Sequence, residues 1–207
     1  MTTPLKMIIE NFDFIEPEND DLKIIIGIGP YKQKLGNTSL RVTKLPQKPH
    51  YQKFNEVAFF VNEWIKIQDS LEMIFNLLCT PQQTLGLLNY LKVKKISPTQ
   101  FADFLYEKYK IVLVNRFDIN LNCQKNKITA LINRNLDKKI HILFVGKKAT
   151  FQLPKNNNIE FATAVHSSGV VLNTYPDIYY RTWYKSDDTA LLNKTTNFTL
   201  KTFKILN

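Results

Sequence analysis

The pattern of apolar and polar residues predicts a polar N-terminal arm, an early strand, a helical middle and a strand-rich second half. Residues 22–29, with the sequence LKIIIGIG, form an apolar run of strand length, and Gly29 followed by Pro30 predicts its end. Residues 55–61, with the sequence NEVAFFV, have the aromatic and β-branched content of a further strand. Residues 10–21, with the sequence ENFDFIEPENDD, are rich in acids, which predicts an extended arm or loop.

Three helices are predicted in residues 62–110. In the first, apolar residues recur at spacings of three and four, the period of one helix face: Trp64, Ile67, Leu71, Ile74 and Leu78. Thr80 begins the second helix and Ser97 begins the third, and each is followed at once by proline, which is typical of a first helical turn. A glutamine three residues after Ser97 completes a capping-box pattern.

From residue 111 onward, short segments rich in β-branched and aromatic residues are separated by polar turns. Eight segments have this character: IVLVNRFDINL, KITALIN, KIHILFVG, ATFQL, IEFATAV, GVVLN, DIYYRTWYK and NFTLKTFKIL. Strands at this spacing are typical of antiparallel sheets. We therefore expect an α+β fold, mainly β, with an antiparallel β-sandwich or barrel and about three helices in the middle of the chain.

The expected domain organisation is an acidic arm, residues 1–21, followed by a single α+β domain, residues 22–207. Within that domain we distinguish a helical segment, residues 62–110, and a β-rich half, residues 111–207. A chain of 207 residues is long enough to bury a sizeable core in one such domain.

Charge is unevenly distributed along the chain, whose formal net charge is +10. Residues 1–21 carry one base and six acids: Glu10, Asp13, Glu16, Glu18, Asp20 and Asp21. The remainder has 27 bases against 12 acids. This surplus indicates a polyanionic partner, or a basic surface that meets the acidic arm of another copy. A solvated basic surface with no partner is the alternative, because the lysines are scattered.

Residues 176–188, with the sequence PDIYYRTWYKSDD, predict a contact surface. If this segment is a strand, alternation places four side chains on one face: Tyr179, Arg181, Trp183 and Lys185. Such a face can stack bases and attract phosphates, and it can equally anchor protein contacts. Further positive charge comes from a predicted basic patch: Lys92, Lys94, Lys95, Lys147 and Lys148.

The segment YYRTWYK, Tyr179 to Lys185, resembles the tyrosine-arginine-x-threonine-tryptophan strand of polyhedrin, with one residue fewer between Arg181 and Thr182. Polyhedrin is the occlusion-body matrix protein of large insect DNA viruses. The resemblance implies a viral, non-enzymatic structural protein whose partners are copies of itself. In that interpretation the strand is a contact surface and the acidic arm is an electrostatic latch between copies.

A nucleic-acid-binding protein is the alternative, with the same strand serving as a stacking platform for single strands. Residues 56–61 followed by a helix over residues 63–79 resemble the strand-then-helix end of single-strand-binding transcriptional coactivators. This alternative predicts binding that weakens steeply with salt.

No catalytic, metal or cofactor site is predicted. His50, His141 and His166 are far apart and form no metal-binding pair. Gly27 and Gly29 lack a third glycine, and Pro30 removes an N–H that a phosphate loop needs, so the glycines predict a strand end or a bulge. An enzyme is the third hypothesis and requires that at least two of a set of acids and histidines converge: Asp177, Asp187, Asp188, His141 and His166.

The expected localisation is intracellular, in the cytoplasm or nucleus of a host cell if the protein is viral, with no membrane partner. No apolar run approaches the roughly 18 residues of a membrane span, and the N-terminus has no apolar signal core. Two lone cysteines, Cys79 and Cys123, are typical of a reducing compartment, and a disulfide between them is left open.

Overall fold

The computed structural model describes residues 10–29, 54, 57–60, 69–118, 121–164 and 202–207, and helices are interspersed among the strands of these residues. Its elements are β1 (Leu22–Gly27), α1 (Asp69–Leu78), α2 (Pro81–Val93), α3 (Pro98–Tyr109), β2 (Ile111–Asn115), α4 (Lys125–Asn133), β3 (Ile140–Val145), a short 3-10 turn (Lys147–Ala149) and β4 (Ile159–Ala164). Strands with helices interspersed among them in this way are typical of an α/β fold.

The four strands form one parallel sheet in the order β2-β1-β3-β4. Ile25 of β1 lies opposite Leu113 of β2 on one side and Leu143 of β3 on the other. All four strands therefore begin at one edge of the sheet, the amino edge, and end at the other, the carboxyl edge. The chain places β2 on one side of β1 and then crosses to place β3 and β4 on the other side.

The expected antiparallel sandwich or barrel is wrong, because every strand pair in the described sheet is parallel. The segment KITALIN, expected to be a strand, lies in α4, since Ile128, Leu131 and Ile132 form one buried helix face. ATFQL contains no strand, and Ala58 and Phe59 form a turn where a strand was expected.

Helices cover both faces of the sheet. On one face, Ile25, Leu113 and Leu143 belong to a core that also contains apolar side chains of α1, α2 and α3. On the other face, Ile24 and Ile142 belong to a core that contains the buried face of α4. Strands that are buried on both faces consist of nearly continuous apolar residues, which explains the isoleucine and valine content of β1 and β2.

The two predicted helix caps are confirmed. The side chain of Thr80 accepts a hydrogen bond from the Gln83 amide, and that of Ser97 accepts one from the Gln100 amide. Each glutamine side chain also accepts a hydrogen bond from the amide of its cap residue, which completes a capping box. The local signals at these helix starts therefore operate as the sequence indicated.

The described chain ends pack against each other. Phe14 forms an isolated antiparallel bridge with Leu206, and the Ile15 amide donates a 2.9 Å hydrogen bond to the Ile205 carbonyl. Phe14 is buried, and its ring lies 5.0 Å from that of Phe104. The central part of the acidic arm is thus packed onto the domain.

Two remaining predictions from the sequence concern a disulfide between the cysteines and membrane-spanning segments. Cys79 is buried, Cys123 is exposed, and both are free thiols, so the disulfide that the sequence left open is not formed. In the part of the chain that the structure describes, no helix is both long enough and apolar enough to cross a membrane.

Candidate functional site

The strand order indicates that a binding site should lie at the carboxyl edge of the sheet. In open α/β sheets, ligands bind in the crevice outside the carboxyl ends of the strands, at the point where the strand order reverses. Here the order reverses between β1 and β3, which pair with each other as far as Ile26 and Phe144. The residues that follow these strands are therefore the candidates for a binding site.

Gly27 ends β1 and makes room for two other side chains. A Cβ atom on Gly27 would lie 2.7 Å from Asn115 Oδ1 and 2.9 Å from Phe59 Cζ, which is closer than atoms can approach. Asn115 ends β2 directly opposite Gly27, and only 2% of its surface is exposed. The glycine thus allows a buried carboxamide and an aromatic ring to meet at the end of the central strand.

Phe59 has a backbone conformation that is costly for an aromatic residue. Its φ angle is 67°, in the left-handed region. The preceding residue, Ala58, donates a 3.1 Å backbone hydrogen bond to Leu113 of β2, so this turn is attached to the sheet. Strained residues of this kind persist where the surrounding structure holds them, and they concentrate at binding sites.

Arg116 connects two loops across the carboxyl edge. Its Nη1 donates hydrogen bonds to the carbonyl oxygens of Lys148, at 2.8 Å, and Thr150, at 2.6 Å. Because β1 lies between β2 and β3, this side chain reaches past the end of β1. The guanidinium also lies 5.2 Å from the ring of Phe117, within the range of a cation–π contact. Arg116 therefore holds the turn after β3 in place and adds positive charge to the edge.

The turn after β3 presents two lysines. Gly146 has φ of 90° and ψ of 145°, a conformation that side chains disfavour, and its amide donates a 2.9 Å hydrogen bond to the Ala164 carbonyl at the end of β4. Lys147 and Lys148 follow at once, and both are exposed. The glycine thus directs the chain so that two cations stand beside the point where the strand order reverses.

The first turn of α4 adds to the positive potential near this edge. Gln124 precedes the helix, and its side chain does not cap it. The backbone amide of Gln124 donates a 2.7 Å hydrogen bond to the Arg116 carbonyl. Lys125 and Lys127 lie in the first turn, where the helix dipole is also positive. Among the described residues of this region, Asp118 is an acid that accepts two hydrogen bonds from Asn122. Anionic ligands are therefore favoured.

Comparison with known proteins adds no identification. No protein family, curated protein or solved structure was found to match the chain. Function is therefore inferred from the site itself.

The predicted basic patch lies on two separate elements. Lys147 and Lys148 are at the carboxyl edge, whereas the other three lysines of the patch lie at the end of α2 and in the turn that follows it: Lys92, Lys94 and Lys95. The predicted contact strand, Tyr179, Arg181, Trp183 and Lys185, is outside the described residues, and so are Asp177, Asp187, Asp188, His50 and His166.

The end of the acidic arm, from Glu16 to Asp21, lies at the opposite edge of the sheet. Glu16 forms a 2.6 Å ion pair with Lys108, and Asp20 pairs with Lys110 and with Lys138. The hydrogen bond from Lys138 holds the pKa of Asp20 below its ordinary value. Asp21 pairs with His141 at 3.1 Å. Since Lys110 directly precedes β2, and Lys138 and His141 flank the start of β3, these acids fasten the arm to the amino edge of its own domain.

Sequence reasoning missed Asn115 and Arg116, which lay inside one long predicted strand. A signal was present, because a polar pair follows four apolar residues, as expected where a buried parallel strand ends. Within the described ranges, no group of three His, Cys, Asp or Glu residues could hold a metal ion.

Proposed function

We propose that the protein binds single-stranded nucleic acid at the carboxyl edge of its sheet. Phosphates would lie near Lys147 and Lys148, and one unstacked base would stack on the partly exposed ring of Phe59, beside the buried Asn115 side chain. The observation that carries this proposal is the reversal of strand order between β1 and β3, which brings Gly27, Asn115 and the turn after β3 to one place.

Charge supports a polyanionic ligand. The chain carries a net charge of +10, and Arg116, Lys147 and Lys148 gather at the candidate site. Neutralising strand phosphates releases condensed counterions, which gives most of the affinity of such complexes. Three acids of the arm, in contrast, are paired at the far edge of the sheet and so do not oppose an anion at this site.

The ring of Phe59 supports a base rather than phosphate alone. Aromatic rings stack on base faces, and this ring is partly exposed, whereas the Asn115 carboxamide beside it is buried. Gly27 permits both groups to approach the same point. Nucleic-acid binding was the alternative function predicted from the sequence, and the proposal gives it a new location.

Replacing Lys147 and Lys148 with alanine should weaken binding of a labelled 30-nucleotide single strand by about tenfold near physiological salt, because two phosphate contacts are lost. The slope of log affinity against log salt should fall in magnitude by about 1.4, since each phosphate contact on a single strand contributes about 0.7. Fluorescence anisotropy at several salt concentrations measures both quantities.

The matched control is the double variant Lys139→Ala/Lys155→Ala. It removes the same charge from two exposed lysines that precede β3 and β4, on the amino side of the sheet. This control should keep the native salt slope. Equal losses in the two double variants would show that net charge alone drives binding, and the proposed site would be wrong.

Self-assembly, the function implied by the resemblance to polyhedrin, stays a prediction. The strand that carries the resemblance lies outside the described residues. Three acids of the expected latch, Glu16, Asp20 and Asp21, have partners within the same chain. Those acids are therefore less available to a second copy than the sequence alone indicated.

A further inference from the structure

The strand β4, at one end of the described sheet order, presents an aromatic ring to solvent. Phe161 lies within β4, and 58% of its surface is exposed. Among the large apolar side chains that are exposed in the described ranges, it is the one aromatic. Aromatic rings at the surface are the groups on which proteins stack the bases of single strands. Phe161 is therefore a second candidate for contact with a base, after Phe59.

The ring of Phe161 is held in place by a buried ring. Phe144 on β3 is buried, and its ring centroid lies 6.3 Å from that of Phe161 and 5.5 Å from that of Phe151. Both contacts are edge-to-face, with interplanar angles of 77° and 83°, which is a favourable arrangement of aromatic rings. Phe151 is itself partly exposed. Because packing fixes them beforehand, Phe151 and Phe161 lose little conformational freedom on binding a ligand.

These two rings, which we call the aromatic pair, extend the candidate site to the other face of the sheet. Phe161 is the register partner of Ile142, whose side chain belongs to the core on the α4 face. Register partners in a parallel pair lie on the same face, so Phe161 lies on the α4 face. Phe59 instead packs against the core on the opposite face. A ligand that contacts both Phe59 and Phe161 must therefore pass round the carboxyl edge.

The turn after β3 connects the carboxyl edge with the aromatic pair. Lys147 and Lys148 are exposed in this turn, and Phe151 follows Lys148 by three residues, so their Cα atoms lie no more than about 11 Å apart. The carbonyl oxygen of Thr150, directly before Phe151, accepts a 2.6 Å hydrogen bond from Arg116. Phosphates held at the two lysines would therefore bring neighbouring bases close to the aromatic pair.

Charge along this route favours an anionic ligand. The sequence from residue 138 to residue 159 contains no acid and five lysines: Lys138, Lys139, Lys147, Lys148 and Lys155. The next residue, Glu160, lies on the other face of β4 from Phe161, because successive side chains of a strand alternate between faces. The aromatic pair is thus combined with positive charge, as in surfaces that bind single strands.

We propose that the aromatic pair is a second stacking platform, and that a single strand runs from Phe59 round the carboxyl edge, over Lys147 and Lys148, to Phe161. This inference rests on the proposed function and extends its site beyond one base. Every base has an aromatic face, so the platform adds affinity with little preference for sequence.

Substitution of Phe161 tests the platform through affinity and salt dependence together. Phe161→Leu keeps an apolar side chain but removes the ring, so it should weaken binding of the labelled 30-nucleotide single strand by about tenfold. The slope of log affinity against log salt should stay native, because no phosphate contact is lost. Phe161→Trp restores a ring and should bind at least as tightly as the native protein. Fluorescence anisotropy at several salt concentrations measures all three results.

The matched control is Val93→Ala on α2, which shortens another exposed apolar side chain, 76% exposed, and should keep native affinity. Native affinity in Phe161→Leu, together with the expected loss in the variant that lacks Lys147 and Lys148, would overturn the second platform and leave the proposed function in place. A native protein that binds no single strand would overturn both. If Phe161→Leu instead lowered the mass of the protein in light scattering without oligonucleotide, the ring would be a contact between copies, and the platform would be wrong.

Discussion

Replacing Gly27 with alanine should weaken binding of single-stranded nucleic acid by about tenfold and lower the free energy of unfolding by about 1–3 kcal/mol. The added Cβ would lie within 3 Å of both Asn115 Oδ1 and Phe59 Cζ, so the carboxamide and the ring must both move. The loss of binding follows because the ring of Phe59 is proposed to stack on the base, and the displaced Asn115 side chain no longer leaves that ring in place. Urea unfolding and fluorescence anisotropy measure the two effects.

Gly86 provides the matched control for this substitution. It lies inside α2, and a Cβ there would meet nothing within 4 Å. Gly86→Ala should therefore raise the free energy of unfolding by about 0.5–1 kcal/mol, because alanine loses less backbone entropy in a helix. Its affinity for the oligonucleotide should equal that of the native protein. A Gly27→Ala protein with native affinity would contradict the proposed role of this edge.

Truncating Phe101 to alanine should lower the free energy of unfolding by about 3–5 kcal/mol. Phe101 is fully buried in α3, and its ring centroid lies 5.3 Å from that of Phe75 and 6.2 Å from that of Phe60. Its removal leaves a cavity between the helices and the segment that contains Phe59. The midpoint of urea unfolding, at an unchanged slope, measures the loss.

The control for this truncation is Leu85→Ala. Leu85 lies on α2 with 53% of its surface exposed, so the change should alter stability by no more than about 0.5 kcal/mol. Similar losses in the two variants would show that the aromatic cluster around Phe101 is not a main source of stability.

Local signals in the sequence were sufficient to predict those elements whose structure depends on neighbouring residues. The starts of α2 and α3 were predicted from Thr80 and Ser97, because each cap residue is followed directly by a proline, and at Ser97 a capping box is complete within four residues. The positions of β1, β3 and β4 were also predicted, since each is a short apolar or β-branched run.

Strand pairing could not be predicted in the same way, because it joins residues far apart in sequence. Ile25 pairs with Leu113 and Leu143, and no local pattern specifies a parallel rather than an antiparallel partner. The continuous apolar runs of β1 and β2 were the available indication of a parallel sheet. The segment that became α4 is short, so its apolar residues were compatible with either a strand or a helix period.

The candidate site was only partly predictable for a related reason. Lys147 and Lys148 were recognised from their charge alone. The role of Gly27 depends on atoms of Asn115 and Phe59, which lie 88 and 32 positions further along the chain, and only the folded structure brings them together. Gly27 was correctly predicted to lie at a strand end, but its proximity to a buried carboxamide was not.

The central claim is that nucleic acid binds at the carboxyl edge of the sheet, and hydrogen exchange with and without a 30-nucleotide single strand tests it most directly. The account predicts slower exchange in three segments on binding: residues 26–29, 115–118 and 146–150. Exchange at the amino edge, around Asp21 and His141, should stay unchanged. Slower exchange confined to residues 176–188 or to the amino edge, or no change anywhere, would contradict the account.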